Sequence, residues 1–464
     1  MIQKSLFRPQ TRLRKDETFW SCCCLLFSPP QKVLKVGNES FSPSSKLAAS
    51  RKTWRKRTPA ARSIWRRPLL WSKGLLKKAG FAPSGWSRQR RAASEVAATA
   101  AAMAEPGAGR VPPVEAYEAA MVLSGVGDAL GYRGGRWEYC TSGPRIAAEL
   151  EALGGLDAIC LEPPEWPVSD DTVLHLATAE GLATGLAGEP LLQELARRYV
   201  AAMSDMEGRK PGPTSLLGTS QLRPGEPDGY HIPFNPTGTG CGAAMRSLAI
   251  GLRYPHEQDL PTLIQVSVDS GRMTHHHPTG YLGALAVALF GALGARGVPP
   301  ERWGRALLQT LPLAREYVGT APAAAENWEH WEPFGEAWAR YLASRGLAEG
   351  EGPARLPPLA DPAERDAAYA AWALGGWAGR SGHDAPMVAL EALLAAGPRW
   401  AELCARGALH SGDSDSTGAI AAGLWGLRHG LAPVPPGLHR RLEYRQRLLQ
   451  AARRLHALAW GGPR

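Results

Sequence analysis

Gly412-Asp-Ser-Asp-Ser-Thr417 places Asp413, Asp415 and the Ser416 hydroxyl at the head of a run whose apolar residues, Ala419, Ile420, Leu424 and Leu427, recur at helical spacing. Such a head reads in two ways. Asp and Ser cap helix N-termini, where their oxygens accept orphan backbone N–H groups. The same hard oxygens, packed this closely, repel one another unless a cation such as Mg²⁺ lies between them. Val168-Ser169-Asp170-Asp171-Thr172 repeats the pattern far upstream, again opening an apolar-periodic run of Val173, Leu174, Ala177 and Leu182. If the two helix starts face each other, their carboxylates and hydroxyls suffice for two divalent ions sharing ligands.

Outside these clusters, the chain from Val114 onward is built of Ala- and Leu-rich segments at helical spacing, punctuated by Gly and Pro, with few β-branched runs. The spacing predicts helices over 114–131, 143–152, 170–186, 191–207, 242–253, 259–270, 278–295, 300–310, 325–344, 362–373, 385–396, 399–409, 416–428 and 438–459. The expected fold class is therefore all-α, one compact multi-helix domain of about 350 residues, ample to bury a core. Loops rich in Gly and Pro are expected over 208–240 and 346–361. The uncharged run Thr279 to Ala295 falls short of the roughly 20 apolar residues of a membrane span and reads as a buried helix.

Charge divides the chain. Residues 1–102 hold 22 Lys and Arg against 4 acids, net +18, and residues 103–464 hold the other 31 against 39, net −8, which together give the overall +10. The basic balance thus belongs to a tail, and a reading of the whole chain as a nucleic-acid binder is excluded. Residues 1–102 are expected to be a basic, disordered extension. They match a mitochondrial transit peptide, an anion-binding arm, or a segment outside the mature protein; the shift at Met103 favours the last, with 103–464 as the catalytic-type domain. Cys22, Cys23, Cys24, Cys140, Cys160, Cys241 and Cys404 show no CxxC spacing, which argues for a reducing compartment and against a zinc site.

Six blocks, in order, carry a family resemblance: Met121-Val-Leu-Ser-Gly-Val-Gly-Asp-Ala-Leu-Gly-Tyr132, Trp166 to His175, Gly240-Cys-Gly-Ala-Ala-Met-Arg246, Gly271-Arg-Met-Thr-His-His-His-Pro-Thr-Gly280, Ser381-Gly-His-Asp-Ala-Pro-Met387 and Gly412 to Thr417. From about Val114 to Leu458 the chain resembles the ADP-ribosylhydrolases, most closely the ADP-ribosylarginine hydrolase branch. The resemblance implies hydrolysis of the N-glycosidic bond between ADP-ribose and arginine on mono-ADP-ribosylated proteins, releasing ADP-ribose. An ADP-ribosylserine hydrolase, or a non-catalytic ADP-ribose-binding protein, is the alternative. It also implies two Mg²⁺ ions held by Ser169, Asp170, Asp171, Asp413, Asp415 and Ser416. Asp170, Asp171 and Glu138 are the expected catalytic acids, Glu138 on a loop able to gate the site. A cytoplasmic monomer needing neither nucleic acid nor membrane is expected.

Thr237-Gly-Thr-Gly-Cys-Gly242 can bring backbone N–H groups against an anion at a helix start, which suits a diphosphate, or can be a simple tight turn. In the family this block lies along the ADP-ribose diphosphate, so Gly240, Cys241 and Gly242, with Ser215, are expected to bind substrate. Arg246 either adds charge there or forms a surface pair. Gly379, Arg380, Ser381, Gly382 and His383 lie in a second glycine-rich loop that in relatives flanks the ribose; capping is the alternative use of its polar groups. His275, His276 and His277 are consecutive and cannot chelate one ion together. Asp128 is either near the metals or a buried hydrogen-bonding acid. Among the sixteen tryptophans, Trp137, Trp372 or Trp377 is a candidate to stack on adenine. Ser169 and Ser416 replace the Thr of some relatives, Thr237 to Thr239 replaces a more acidic stretch, and Leu161-Glu-Pro-Pro-Glu-Trp166 is a short insertion.

Overall fold

Gly127 and Gly131 set how this molecule is assembled. A Cβ on Gly127 would lie 2.1 Å from the Gly418 carbonyl oxygen, and one on Gly131 would lie 2.3 Å from that of Ser414. A Cβ on Gly418 would in turn meet the Gly127 oxygen at 2.6 Å, and one on Gly426 the Ala119 oxygen at 2.7 Å. Only helices stripped of side chains along one stripe come this close. As one index rises the other falls, so the helices holding these residues run antiparallel.

The structure, a computed structural model, describes residues 111–359 and 361–462. The basic extension expected over 1–102, and the start at Met103, lie outside the described residues. Among these there are sixteen α-helices and no strand, in accord with the all-α expectation. They are α1 (Val114–Tyr132), α2 (Gly143–Ala152), α3 (Asp170–Leu182), α4 (Gly188–Ala202), α5 (Pro213–Gln221), α6 (Leu248–Arg253), α7 (Leu260–Arg272) and α8 (Pro278–Ala295). After them come α9 (Trp303–Val318), α10 (Ala324–Glu329), α11 (Glu332–Arg345), α12 (Pro362–Ala370), α13 (Ala385–Ala396), α14 (Trp400–Gly407), α15 (Ser414–His429) and α16 (Arg445–Trp460).

Three helices form the centre. α1 and α15 are the antiparallel pair, and α16 packs beside α1. α8 is apolar on all sides, as a helix must be when neighbours enclose it completely. By length and composition it could cross a membrane, yet all of it is buried, against α6 and α7 among others. The buried-helix reading of Thr279 to Ala295 holds.

Differences from the sequence pattern have local causes. The loop expected over 208–240 contains α5, which buries only Ser215, Gly218 and Thr219 and so shows no apolar period. The helix expected over 242–253 is a 3₁₀ turn over Cys241–Ala243 followed by α6. The single helix expected over 325–344 is broken at His330 and Trp331 into α10 and α11. α9 runs past the expected end at 310 because Pro312 lies inside it without ending it.

Candidate active site

The antiparallel pairing of α1 and α15 brings the C-terminal end of α1 beside the start of α15, and α1 also receives the start of α3. Asp128, fully buried on α1, accepts hydrogen bonds from the backbone N–H groups of Ser169 (3.0 Å) and Thr172 (3.0 Å) and from the Thr172 hydroxyl. Asp128 is thus the buried hydrogen-bonding acid, and it caps α3 from another helix. Burial raises its pKa to about 6 against the pull of these bonds. The segment entering α3 is clamped as well. Glu443 accepts from the Val168 N–H (3.1 Å), the Arg209 guanidinium donates to the Val168 carbonyl (2.8 Å), and the two side chains pair at 2.8 Å. Ser169 is wholly buried as the N-cap of α3, its hydroxyl accepting from the Asp171 N–H.

At the start of α15 the supports are different. Ser414 donates to the Gly131 carbonyl (3.1 Å), and Thr417 donates to the Gly407 carbonyl (2.7 Å) with the His410 ring at 2.7 Å. The Ser416 N–H donates to the Asp415 carboxylate at 2.9 Å. The Cys241 thiol donates to Asp413 (3.2 Å) and lies 3.5 Å from the Ser416 hydroxyl.

Both helix starts open into one cleft of about 720 Å³. Asp170 and Asp171 line it from α3, Asp415 and Ser416 from α15, Asp413 from the position just before α15, and Glu138 from the turn after α1. Burial, with repulsion from neighbouring acids, pushes the carboxyls of Glu138, Asp170, Asp171 and Asp415 upward. Asp170 reaches about 8, with Asp128 and Asp413 adding to burial, and Glu138 about 8, with Asp413 adding. Asp171 and Asp415 rise well above the carboxylate range for the same two reasons. Two oxygens, one each on Glu138 and Asp171, are buried with no hydrogen-bond partner.

The two glycine-rich loops prove to be one unit. Gly240 and Ser381 form an antiparallel bridge, the Cys241 N–H donates to the Arg380 carbonyl (3.0 Å), and the Gly382 N–H donates to the Thr239 carbonyl (2.9 Å). Gly240, Cys241, Gly242, Arg380, Ser381 and Ser215 all line the cleft. Gly379, Gly382 and His383 do not. A Cβ on Gly379, where φ is +82°, would lie 2.6 Å from the Thr417 methyl, and one on Gly382 would lie 2.1 Å from the Thr279 oxygen, so both are packing positions. Both ring nitrogens of His383 are engaged, one with Ser381 (2.7 Å) and one with the Trp372 carbonyl (2.9 Å). Asp384, beside them, accepts from the N–H groups of Gly379 and Ser381 and shapes the loop.

Arg246 is neither a surface pair nor a group on the cleft. It is 1% exposed, donates to the carbonyls of Gly242 (2.6 Å) and Ser270 (2.8 Å), and stacks on Tyr199. It pins the glycine turn, and its charge partly offsets the rise at Asp170. The three histidines diverge, as expected. His275 bonds Thr274 beneath the glycine turn, His276 meets the Ile232 carbonyl and Arg272, and His277 caps α8. Burial holds His275 neutral, with a pKa near 3. Of the three candidate tryptophans only Trp377 lines the cleft, under Arg380 at 5.1 Å. Trp137 is core, and Trp372 packs between Tyr341 and Tyr369.

The sequence pattern had not marked Tyr139, Lys210, Asn235, Leu217 and Leu374, which also line the cleft. A signal existed for Asn235 alone. Asn235-Pro-Thr-Gly238 is turn chemistry, and its side chain accepts from the Thr237 N–H (3.0 Å).

Known proteins bear on this geometry. A family model described as ADP-ribosylglycohydrolase matches residues 111–463. A protein named ADP-ribosylhydrolase ARH1, from Dictyostelium discoideum, is 37% identical over 356 residues, covering 71% of this chain and 91% of that protein. A putative ADP-ribosyl glycohydrolase of Acanthamoeba polyphaga mimivirus is 29% identical over 323 residues, 65% of this chain and 61% of its own length. A solved chain described as part of an ADP-ribosylglycohydrolase-related protein complex covers 75% of this chain and 98% of its own, with a TM-score of 0.47 and 19% identity.

Proposed function

Since the chain belongs to the ADP-ribosylglycohydrolase family, we propose that it removes ADP-ribose from arginine on mono-ADP-ribosylated proteins, with Mg²⁺ bound in the acidic cleft. The observation that carries the reading is the convergence of Glu138, Asp170, Asp171, Asp413 and Asp415 on one cleft beside the paired glycine loops.

Five carboxylates crowded into one cleft, with Glu138, Asp170, Asp171 and Asp415 pushed upward by burial and by their neighbours, call for a cation. The donor set is all hard oxygen, with the Ser416 hydroxyl beside it, which matches Mg²⁺. The unpartnered oxygen of Asp171 is the second mark of fit. Among the described residues no three His, Cys, Asp or Glu side chains already stand as a closed ligand set, so the assignment rests on donor chemistry. Asp170, Asp171, Asp413, Asp415 and Ser416 are the groups that would hold the metal, and Ser169 would serve them as the cap beneath. When bound, the metal would supply charge to fix the ribose hydroxyls and to acidify a water.

The chain's own groups account for the rest. The backbone turn Gly240 to Gly242 offers the diphosphate a close approach without side chains. As the bond between the anomeric carbon and the guanidine nitrogen breaks, the electron pair leaves with nitrogen and positive charge grows on the ribose. Asp and Glu carboxylates around that carbon stabilise the charge. Water adds to the anomeric carbon, its proton passes to a carboxylate, and the departing guanidine regains it. Glu138 belongs to neither metal-type cluster, and its free oxygen suits this proton transfer. An acid-walled cleft also favours a cationic arginine linkage over a neutral serine one.

Release of ADP-ribose by the full chain, from peptides bearing ADP-ribosylarginine or ADP-ribosylserine, with Mg²⁺ or EDTA, tests the reading. The expected result is release from arginine alone, lost in EDTA. Release from serine alone would keep the site and reverse the specificity. Asp170→Ala is expected to lower release at least about 100-fold.

A further inference from the structure

α5 faces the wrong way for an ordinary surface helix. It turns Ser215, Gly218 and Thr219 inward, a Cβ on Gly218 falling 2.4 Å from the Thr274 Cα, and leaves Leu216 and Leu217 46% and 50% exposed. Leu217 lines the cleft, and so do Tyr139 and Leu374, 48% and 55% exposed, on two other segments. Three of the nine large hydrophobic side chains exposed among the described residues thus line this cleft. Scattered exposed leucines are ordinary, but a cluster around a polar site marks a surface that another molecule covers.

The occupant follows from the reaction. If ADP-ribose fills the acid-floored cleft, the polypeptide carrying the modified arginine must lie across the mouth. There Lys210 and Arg380, both exposed and both lining the cleft, repel further positive side chains beside the arginine. We infer that Tyr139, Leu217 and Leu374 form a docking rim for apolar side chains flanking the ADP-ribosylated arginine of a substrate protein. This rests on the proposed reaction. The rim would make the enzyme selective for a sequence context rather than for the linkage alone.

Two ADP-ribosylarginine peptides, identical except for Leu or Ser on both sides of the modified residue, compete in one reaction with the full chain, beside the free ADP-ribosylarginine conjugate. The Leu-flanked peptide is expected to turn over about tenfold faster, the effect of one additional leucine coming under partial cover. The double substitution Leu217→Ser with Leu374→Ser is expected to erase that preference and leave the free conjugate within about twofold of its original rate. Equal turnover of the two peptides would overturn the rim. So would an equal loss on the free conjugate, which would place these side chains on ADP-ribose, or a gain on every substrate, which would mean the chain covers its own rim. If nothing is cleaved, the reaction itself is wrong, and fluorescence anisotropy of the intact peptides decides the rim. A tenfold tighter Leu-flanked complex keeps it, and equal affinity removes it.

Discussion

The two acidic helix starts look alike in sequence and are held in place by different physics. Ser169-Asp170-Asp171-Thr172 is fixed by polar partners from afar: the Asp128 carboxylate from α1, and the Arg209–Glu443 pair gripping Val168. Among the described residues no carboxylate from another helix accepts from the backbone of Asp413-Ser414-Asp415-Ser416. That cluster is seated by backbone contact, α15 lying against Gly127 and Gly131. The first cluster can therefore be loosened by removing a charge, and the second most directly by forcing two helices apart. A cleft built from both depends on α1, which touches each.

The largest expected effect follows on the backbone side. Gly131→Val would drive a side chain onto the Ser414 carbonyl and the Asp415 nitrogen, 2.3 and 2.5 Å from a Cβ, where nothing flexible can yield. Its expected cost is about 3 kcal/mol or more, read as a fall in urea midpoint at unchanged m-value. Gly125→Ala, on the same helix but facing the mobile ends of Leu442 and Leu448 at 3.1 and 3.2 Å, is expected to cost about 1 kcal/mol. Similar costs for the two would refute the difference drawn between backbone and side-chain contact.

On the polar side, Asp128→Asn keeps the shape but turns one acceptor into a donor facing the Ser169 and Thr172 N–H groups. Burying that mismatch is expected to cost about 2 kcal/mol. Hydrogen exchange should quicken at 169–172 and stay unchanged at 413–417, and ADP-ribose release should fall about ten- to a hundredfold, as when a support behind a metal ligand is lost. Equal exchange changes at both clusters would mean that α1 acts as one rigid block, and the contrast would dissolve.

How much of this was legible in the sequence depended on whether a contact leaves a pattern. α2, α8 and α13 have the limits that the spacing predicts, each opening with a Pro and closing near a Gly. α5 was missed because its inward residues are small, so no apolar period exists to read. Both acid clusters were legible from residue type and spacing. Their convergence was expected only through the family resemblance, because it depends on Gly127 and Gly131, and a glycine inside a helix does not announce which backbone it will meet. Nor could sequence show that Arg246 is a buried strut, since a buried and a surface arginine are the same letter.

The smallest effect concerns strain at the first cluster. Lys210 adopts φ +60°, a left-handed conformation unfavourable for a lysine and more so directly before Pro211. The second cluster meets the same need with a glycine, Gly379 at φ +82° beside Asp413. Lys210 follows Arg209, whose carbonyl accepts the Asp170 N–H at 3.3 Å, so the backbone turn is tied to the acid it flanks. Lys210→Gly should relieve the strain and raise stability by about 0.5–1 kcal/mol, whereas Lys210→Ala keeps the strain and removes only the ammonium. If the lysine serves substrate at the cleft mouth, both variants should raise KM by a similar factor while only the glycine variant gains stability. A glycine variant more stable and equally active would leave the strain without use, and the first cluster would then differ from the second only in what holds it, not in what it does.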